Sequence, residues 1–151
     1  MPHDLLQKLR RTTPVEWGDL LRAYAALLRA QVTVWTRPQG QLVSASAPGT
    51  PEDSGSNHAR ACQLGHAVRR ASRYSLARPS CLVRSLALIR LLERHGIHGG
   101  LLRIGVRPHD GKLLAHAWVE HDGEVLGDRP AHVRSFHPLA DVNVLPDSRS
   151  R

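Results

Sequence analysis

The chain has little cysteine, lysine or aromatic residue, and each shortage closes off a class of protein. Two cysteines, Cys62 and Cys81, make no disulfide framework. Lysine occurs only at Lys8 and Lys112, so the formal net charge of +8 is carried almost wholly by arginine. The arginines are scattered along the chain rather than gathered into a stripe. Aromatic residues are 4% of the total, too few for a base-stacking surface. Composition therefore argues against a nucleic-acid partner. The charge, which a GC-rich codon bias would also produce, bears on solubility and association rather than on fold.

Long apolar runs are missing too. Met1 to Arg11 is charged and lacks the apolar core of a signal peptide, and no stretch approaches the roughly twenty apolar residues of a membrane span. The expectation is a soluble, cytoplasmic protein in a reducing compartment, with no membrane partner. At 151 residues the chain suits one folded unit with a real core.

Periodicity then gives the order of elements. Pro14 followed by Trp17, Leu20, Leu21, Tyr24, Leu27 and Leu28 predicts a helix over residues 15–30, with that stripe buried and Arg22 and Arg29 facing away. The β-branched and aromatic run Val32-Thr33-Val34-Trp35 suggests a short extended piece. From Ser44 to Asn57 the chain is rich in Ser, Pro, Gly and Asp and reads as a flexible connection. The expected organisation is a helical arm over 1–43, this connection over 44–57, a body over 58–146 and a mobile tail over 147–151. A helix over 58–73 opens the body, with Arg69, Arg70 and Arg73 along a basic edge. On it His58, Cys62 and His66 fall at four-residue intervals, but without a fourth ligand at suitable spacing no metal is expected.

The stretch Pro79-Ser80-Cys81-Leu82 has chemical promise. Proline and serine are helix-start signals, and residues 81–94 contain no glycine or proline before Gly96 ends the run. A cysteine in a first helical turn feels the positive end of the helix dipole, which can lower its pKa from about 8.5 toward about 7 or below. The same position also suits a small buried apolar residue. Beyond Gly96, residues 99–106, 112–120 and 124–128 read as three antiparallel strands punctuated by Asp110-Gly111 and Asp122-Gly123.

A nucleophilic thiol needs a base, and the base needs a group to fix its tautomer. His116 lies mid-strand in Leu114-Ala115-His116-Ala117-Trp118, a place that also fits a core histidine satisfied by hydrogen bonds. If the following hairpin loop is the three residues His121, Asp122 and Gly123, then position 116 faces 128 and His116 meets Asp128. A two-residue Asp122-Gly123 loop would send Asp128 to the opposite face. Glu120 and Asp122 are weaker candidates for the third group.

Taken together, Pro79-Ser80-Cys81-Leu82, Leu86-Ala87-Leu88, Leu91-Leu92-Glu93-Arg94-His95-Gly96-Ile97, Ile104-Gly105-Val106 and Ala115-His116-Ala117-Trp118-Val119-Glu120 resemble the transglutaminase-like cysteine proteases of lasso-peptide biosynthesis. The order of elements matches from about Ala67 to Asp128. The resemblance implies an α+β fold in which N-terminal helices and a cysteine-bearing helix pack on an antiparallel sheet, a transglutaminase-like or papain-like core. It implies a leader peptidase with Cys81 as nucleophile, His116 as base and Asp128 as orienting acid. It also implies a precursor-peptide substrate, a separate small leader-binding protein as partner, and an ATP-dependent cyclase acting afterwards. No cofactor is expected in this chain, since ATP would belong to the cyclase. The backbone N–H of Cys81 is the first expected oxyanion donor, and the sequence identifies no second. Two other readings stay open: acyl transfer to an amine by the same three groups, and a non-catalytic basic binding module.

Overall fold

A computed structural model describes residues 14–36, 43–45, 56–75 and 78–144. The elements run α1 (Pro14–Thr36), β1 (Val43–Ala45), α2 (Ser56–Arg73), α3 (Cys81–Arg94), β2 (Leu101–His109), β3 (Lys112–His121), β4 (Glu124–Leu126), α4 (Pro130–Val133) and β5 (His137–Val144). The strands form one antiparallel sheet in the order β1-β5-β2-β3-β4. This is the expected α+β arrangement, helices packed on an antiparallel sheet. Among the described residues no helix is long and apolar enough to cross a membrane.

The helix α1 is longer than its sequence pattern predicts and buries a different face. Residues 32–35 continue the helix, and the Thr33 and Thr36 hydroxyls donate back to the carbonyls of Arg29 and Val32, both at 2.8 Å. The face turned inward carries Asp19, Ala23, Ala26, Leu27 and Ala30. Leu20 and Tyr24 flank it, whereas Trp17, Leu21 and Leu28 are exposed. Residue size does not set this face: three alanines let the helix axes approach, and the buried Asp19 is neutralised from α2. Arg60 grips it through both guanidinium nitrogens, Nη2 donating to Asp19 Oδ1 at 2.7 Å, and this pair holds the Asp19 carboxyl below the usual range.

The sheet is covered on both faces. Leu102, Ala117, Val119 and Leu126 join Leu64, Leu86, Leu91 and Leu92 in the main core between sheet and helices. On the other face Trp118 packs with Val133 and Phe136, from α4 and the residues just after it. Truncating a fully buried leucine of this core costs about 2–5 kcal/mol. Two connections depart from expectation. Ser44 and Ala45, placed in the flexible connection, lie in β1, and Ser56 and Asn57 begin α2; the rest of that connection and the tail over 147–151 lie outside the described residues. The chain after Asp128 crosses by α4 to the far side of β2 and adds β5 there, with a register shift at Ile104/Gly105.

The β3–β4 hairpin has the shorter of the two possible loops. His121 pairs with Glu124, Glu120 with Val125 and Val119 with Leu126, so the loop is Asp122-Gly123 alone. Both loop residues have positive φ, 50° and 79°, the twist that suits a two-residue hairpin turn. The three-residue loop expected from the sequence does not form. Continued in this register, β4 would set residue 128 opposite Ala117, on the face away from His116. The strand instead stops at Leu126, and Gly127 at φ +71° swings the chain round. A Cβ on the facing Gly65 of α2 would lie 2.8 Å from the Gly127 nitrogen, so this turn depends on a close glycine–glycine approach.

Candidate active site

At the start of α3 the N-cap is Ser80, whose hydroxyl accepts the Val83 N–H at 3.3 Å. That bond fixes the first turn and makes Cys81 the first helical residue, with its own N–H outside the helical ladder. The thiol sits at the edge of β3, past the point where β4 ends. There the His116 ring and the backbone N–H groups of Ala117 and Leu82 favour its charged form. The histidine contact, helped by those two amides, lowers the Cys81 pKa against the opposing effect of burial. Had β4 run two residues further, it would have occupied the edge of β3 that the sulfur uses.

His116 Nε2 donates to Asp128 Oδ2 at 2.7 Å, which leaves Nδ1 for the thiol. This bond and the Cys81 contact raise the His116 pKa to about 9, although burial works the other way. Burial also acts to raise the Asp128 pKa, but His116, the Arg129 N–H at 2.7 Å and Arg84 outweigh it and lower the carboxyl to about 2. Across neutral pH the site therefore holds an imidazolium at His116 and a carboxylate at Asp128, and the charged ring draws the Cys81 thiol toward its thiolate. The chain brings together all three residues singled out in its sequence, through Gly127 rather than through hairpin register.

The imidazole is caged by rings. Trp118 stacks beside it at 6.2 Å between centroids, Phe136 lies at 5.0 Å, and His132 meets it edge-on at 4.9 Å. Trp118 is oriented in turn: its Nε1–H donates to Glu120 Oε1 at 2.8 Å, and Glu120 accepts Arg103 Nε at 2.9 Å. Glu120 thus acts behind Trp118, not behind His116. Gly105, paired with His116 across the sheet, makes room for this cage, since a Cβ there would come within 2.8 Å of the Trp118 ring. Phe136 and His132 follow the stretch covered by the resemblance, and no spacing pattern announces them. A glycine in mid-helix, Gly65, was the one available signal for the close approach at Gly127.

A cleft of about 280 Å³ opens beside Asp128, lined by Arg69, Arg73, Arg84 and Arg129 together with His132. The basic edge read from α2 thus reaches the reactive groups. The other cysteine lies elsewhere. Cys62 Sγ is 3.5 Å from His58 Nε2, and burial, with Glu124, raises its pKa. His66, third in the helix-face series, is exposed and lines a groove with Val15 and Glu16 of α1.

A family model described as the transglutaminase-like superfamily matches residues 20–141. No curated protein and no solved structure matches the chain. The matched span contains the thiol, the imidazole, the carboxylate, the ring cage and most of β5.

Proposed function

The chain belongs to the transglutaminase-like superfamily, whose members usually carry cysteine protease or acyltransferase activity. From that premise we propose that it is a cysteine peptidase that removes the leader from a lasso-peptide precursor, with Cys81, His116 and Asp128 as its catalytic groups. The observation carrying the catalytic part is the shared ring: His116 is bonded to Asp128 at 2.7 Å, and the same ring is the largest cause of the lowered Cys81 pKa. The leader-peptidase part rests on the ordered motif resemblance described above.

In this mechanism the Cys81 thiolate attacks the carbonyl carbon at the leader–core junction. The oxyanion forms beside the backbone N–H of Cys81. As the C–N bond breaks, the His116 imidazolium gives its proton to the departing core amine and a thioester to the leader remains. Water, deprotonated by the now neutral His116, attacks that thioester and releases the leader as a carboxylic acid and Cys81 as thiolate. Asp128 holds the ring and stabilises its charged form throughout. A separate leader-binding protein presents the precursor, and the ATP-dependent cyclase takes up the freed core.

Acyl transfer to an amine would use the same first half, so the test follows the fate of the thioester. The precursor peptide is incubated with the protein, with and without the leader-binding partner, in heavy-oxygen water containing a primary amine. Hydrolysis places one heavy oxygen in the new leader carboxyl, read by mass. Amine incorporation in its place would assign transferase activity instead.

A further inference from the structure

A second cluster of reactive side chains lies where α2 begins, against the β3–β4 turn, and the peptidase mechanism does not use it. It brings His58 of α2 together with His121, Asp122 and Glu124 of the hairpin. His121 Nε2 lies 3.0 Å from the carbonyl oxygen of His98, which can only accept, so the neutral tautomer that donates there presents Nδ1 as a lone pair. His58 Nε2 lies 3.1 Å from Glu124 Oε2, again an acceptor, and the neutral tautomer that donates there presents Nδ1 as a lone pair as well. These two Nδ1 atoms face each other at 3.5 Å. Asp122 Oδ2 completes a triangle, 3.4 Å from His121 Nδ1 and 3.9 Å from His58 Nδ1.

Two imidazole nitrogens and a carboxylate oxygen, all within 3.9 Å of one another, form a set of donors suited to a cation. We propose that His58 Nδ1, His121 Nδ1 and Asp122 Oδ2 bind one divalent cation of the zinc type, with a fourth position open to water. The spacing discriminates between geometries. Bonds of about 2.0–2.1 Å at a tetrahedral angle separate ligand atoms by about 3.3–3.4 Å. An octahedral arrangement with bonds of the same length would bring neighbours to about 3.0 Å, further from the distances here; on binding, the 3.9 Å pair would draw in by about half an ångström.

The surroundings agree. A ligating histidine usually donates its other N–H to a carbonyl or carboxylate, and His121 and His58 do one each. The His121 side chain is buried, while those of His58 and Asp122 are about a quarter to a third exposed, which leaves a path for the ion and its water. Cys62 stays outside the triangle: its Sγ lies 3.5 Å from His58 Nε2, on the side of the ring away from the three ligand atoms. The sequence concealed the site because only His58 belongs to the helix-face series; the remaining ligands come from a turn more than sixty residues away. Bound there, the ion would fasten α2 to the strand that leads into Gly127 and Asp128. The proposal does not depend on the peptidase reading.

The test is zinc(II) titrated into the full-length, chelator-treated protein by calorimetry, with thermal unfolding as a second readout. One ion should bind per chain and raise Tm by several degrees. His58→Ala removes a partly exposed ligand, and Asp122→Asn keeps a residue that tolerates the positive φ while losing the anionic oxygen; each should weaken binding tenfold or more on the order expected for a lost ligand. Glu124→Gln should weaken it about 10–100-fold through the orientation of His58. Cys62→Ser and Cys81→Ala should bind as wild type does, and the cobalt(II) form should lack a thiolate charge-transfer band. The proposal is overturned if no ion binds, if binding survives both His58→Ala and Asp122→Asn, or if a charge-transfer band appears and vanishes with either cysteine.

Discussion

The Nε2 of His116 lies 2.7 Å from the Oδ2 of Asp128, although hairpin register alone would place these side chains on opposite faces of the sheet. Their meeting is the work of Gly127. Because its φ is +71°, and because its neighbour across the gap is Gly65, the chain can turn back beneath α2 and bring the carboxylate round to the imidazole.

Gly127→Ala is therefore expected to damage both stability and activity. A Cβ at this φ costs about 1–2 kcal/mol, and it would also meet the Gly65 carbonyl oxygen at 3.3 Å. Gly65→Ala should destabilise too, since the atom it meets at 2.8 Å is backbone and cannot rotate away. Urea unfolding measures the first effect, and turnover of the folded fraction measures the second.

Asp128→Asn should move the alkaline limb of the pH–rate profile. Wild-type activity is expected to fall as pH rises through about 9, where His116 loses its proton and with it the acid for the leaving amine. Asp128 is the largest cause of that raised value, so the amide variant should lose activity at lower pH, with kcat reduced about 10²-fold or more. A limb that stays in place would mean the carboxylate does not set the imidazolium.

The two cysteines should differ in reactivity. At pH 7 iodoacetamide is expected to modify Cys81 well before Cys62, because the His116 contact lowers one pKa while burial raises the other. His116→Ala should shift the midpoint of Cys81 alkylation to higher pH. Peptide mapping of the alkylated protein reads both effects.

Much of this was legible in the chain and some was not, for reasons that separate local from distant interactions. The start of α3 could be read because Pro79, Ser80 and the uninterrupted run after Cys81 act within one turn of each other. His116 and Trp118 could be assigned to one face of β3 by strict alternation. The Asp128 contact was expected for the wrong reason: a left-handed glycine ends β4, and no count of loop residues registers that. The inward face of α1 is only partly legible: Leu20, Tyr24 and Leu27 of the apolar stripe do pack inward, but Ala23, Ala26 and Ala30 are too small to stand out, and the partner of Asp19 lies 41 residues away at Arg60.

That last pair supports a stability prediction. The Asp19 pKa is depressed from 3.8, so its stabilising contribution is present above that value and is lost as pH falls through the lower, folded one. Asp19→Ala strands Arg60, 28% exposed at its side chain, and should cost about 3 kcal/mol. Adding Arg60→Met should recover part of that loss, a non-additivity that a double-mutant cycle in denaturant detects.

Whether Cys81 performs the chemistry is decided by incubating precursor peptide and leader-binding partner with wild type and with folded Cys81→Ala, and reading the products by mass. Wild type should cut once, at the leader–core junction, and the variant not at all. An equal cut by Cys81→Ala would rule out the thiol as nucleophile.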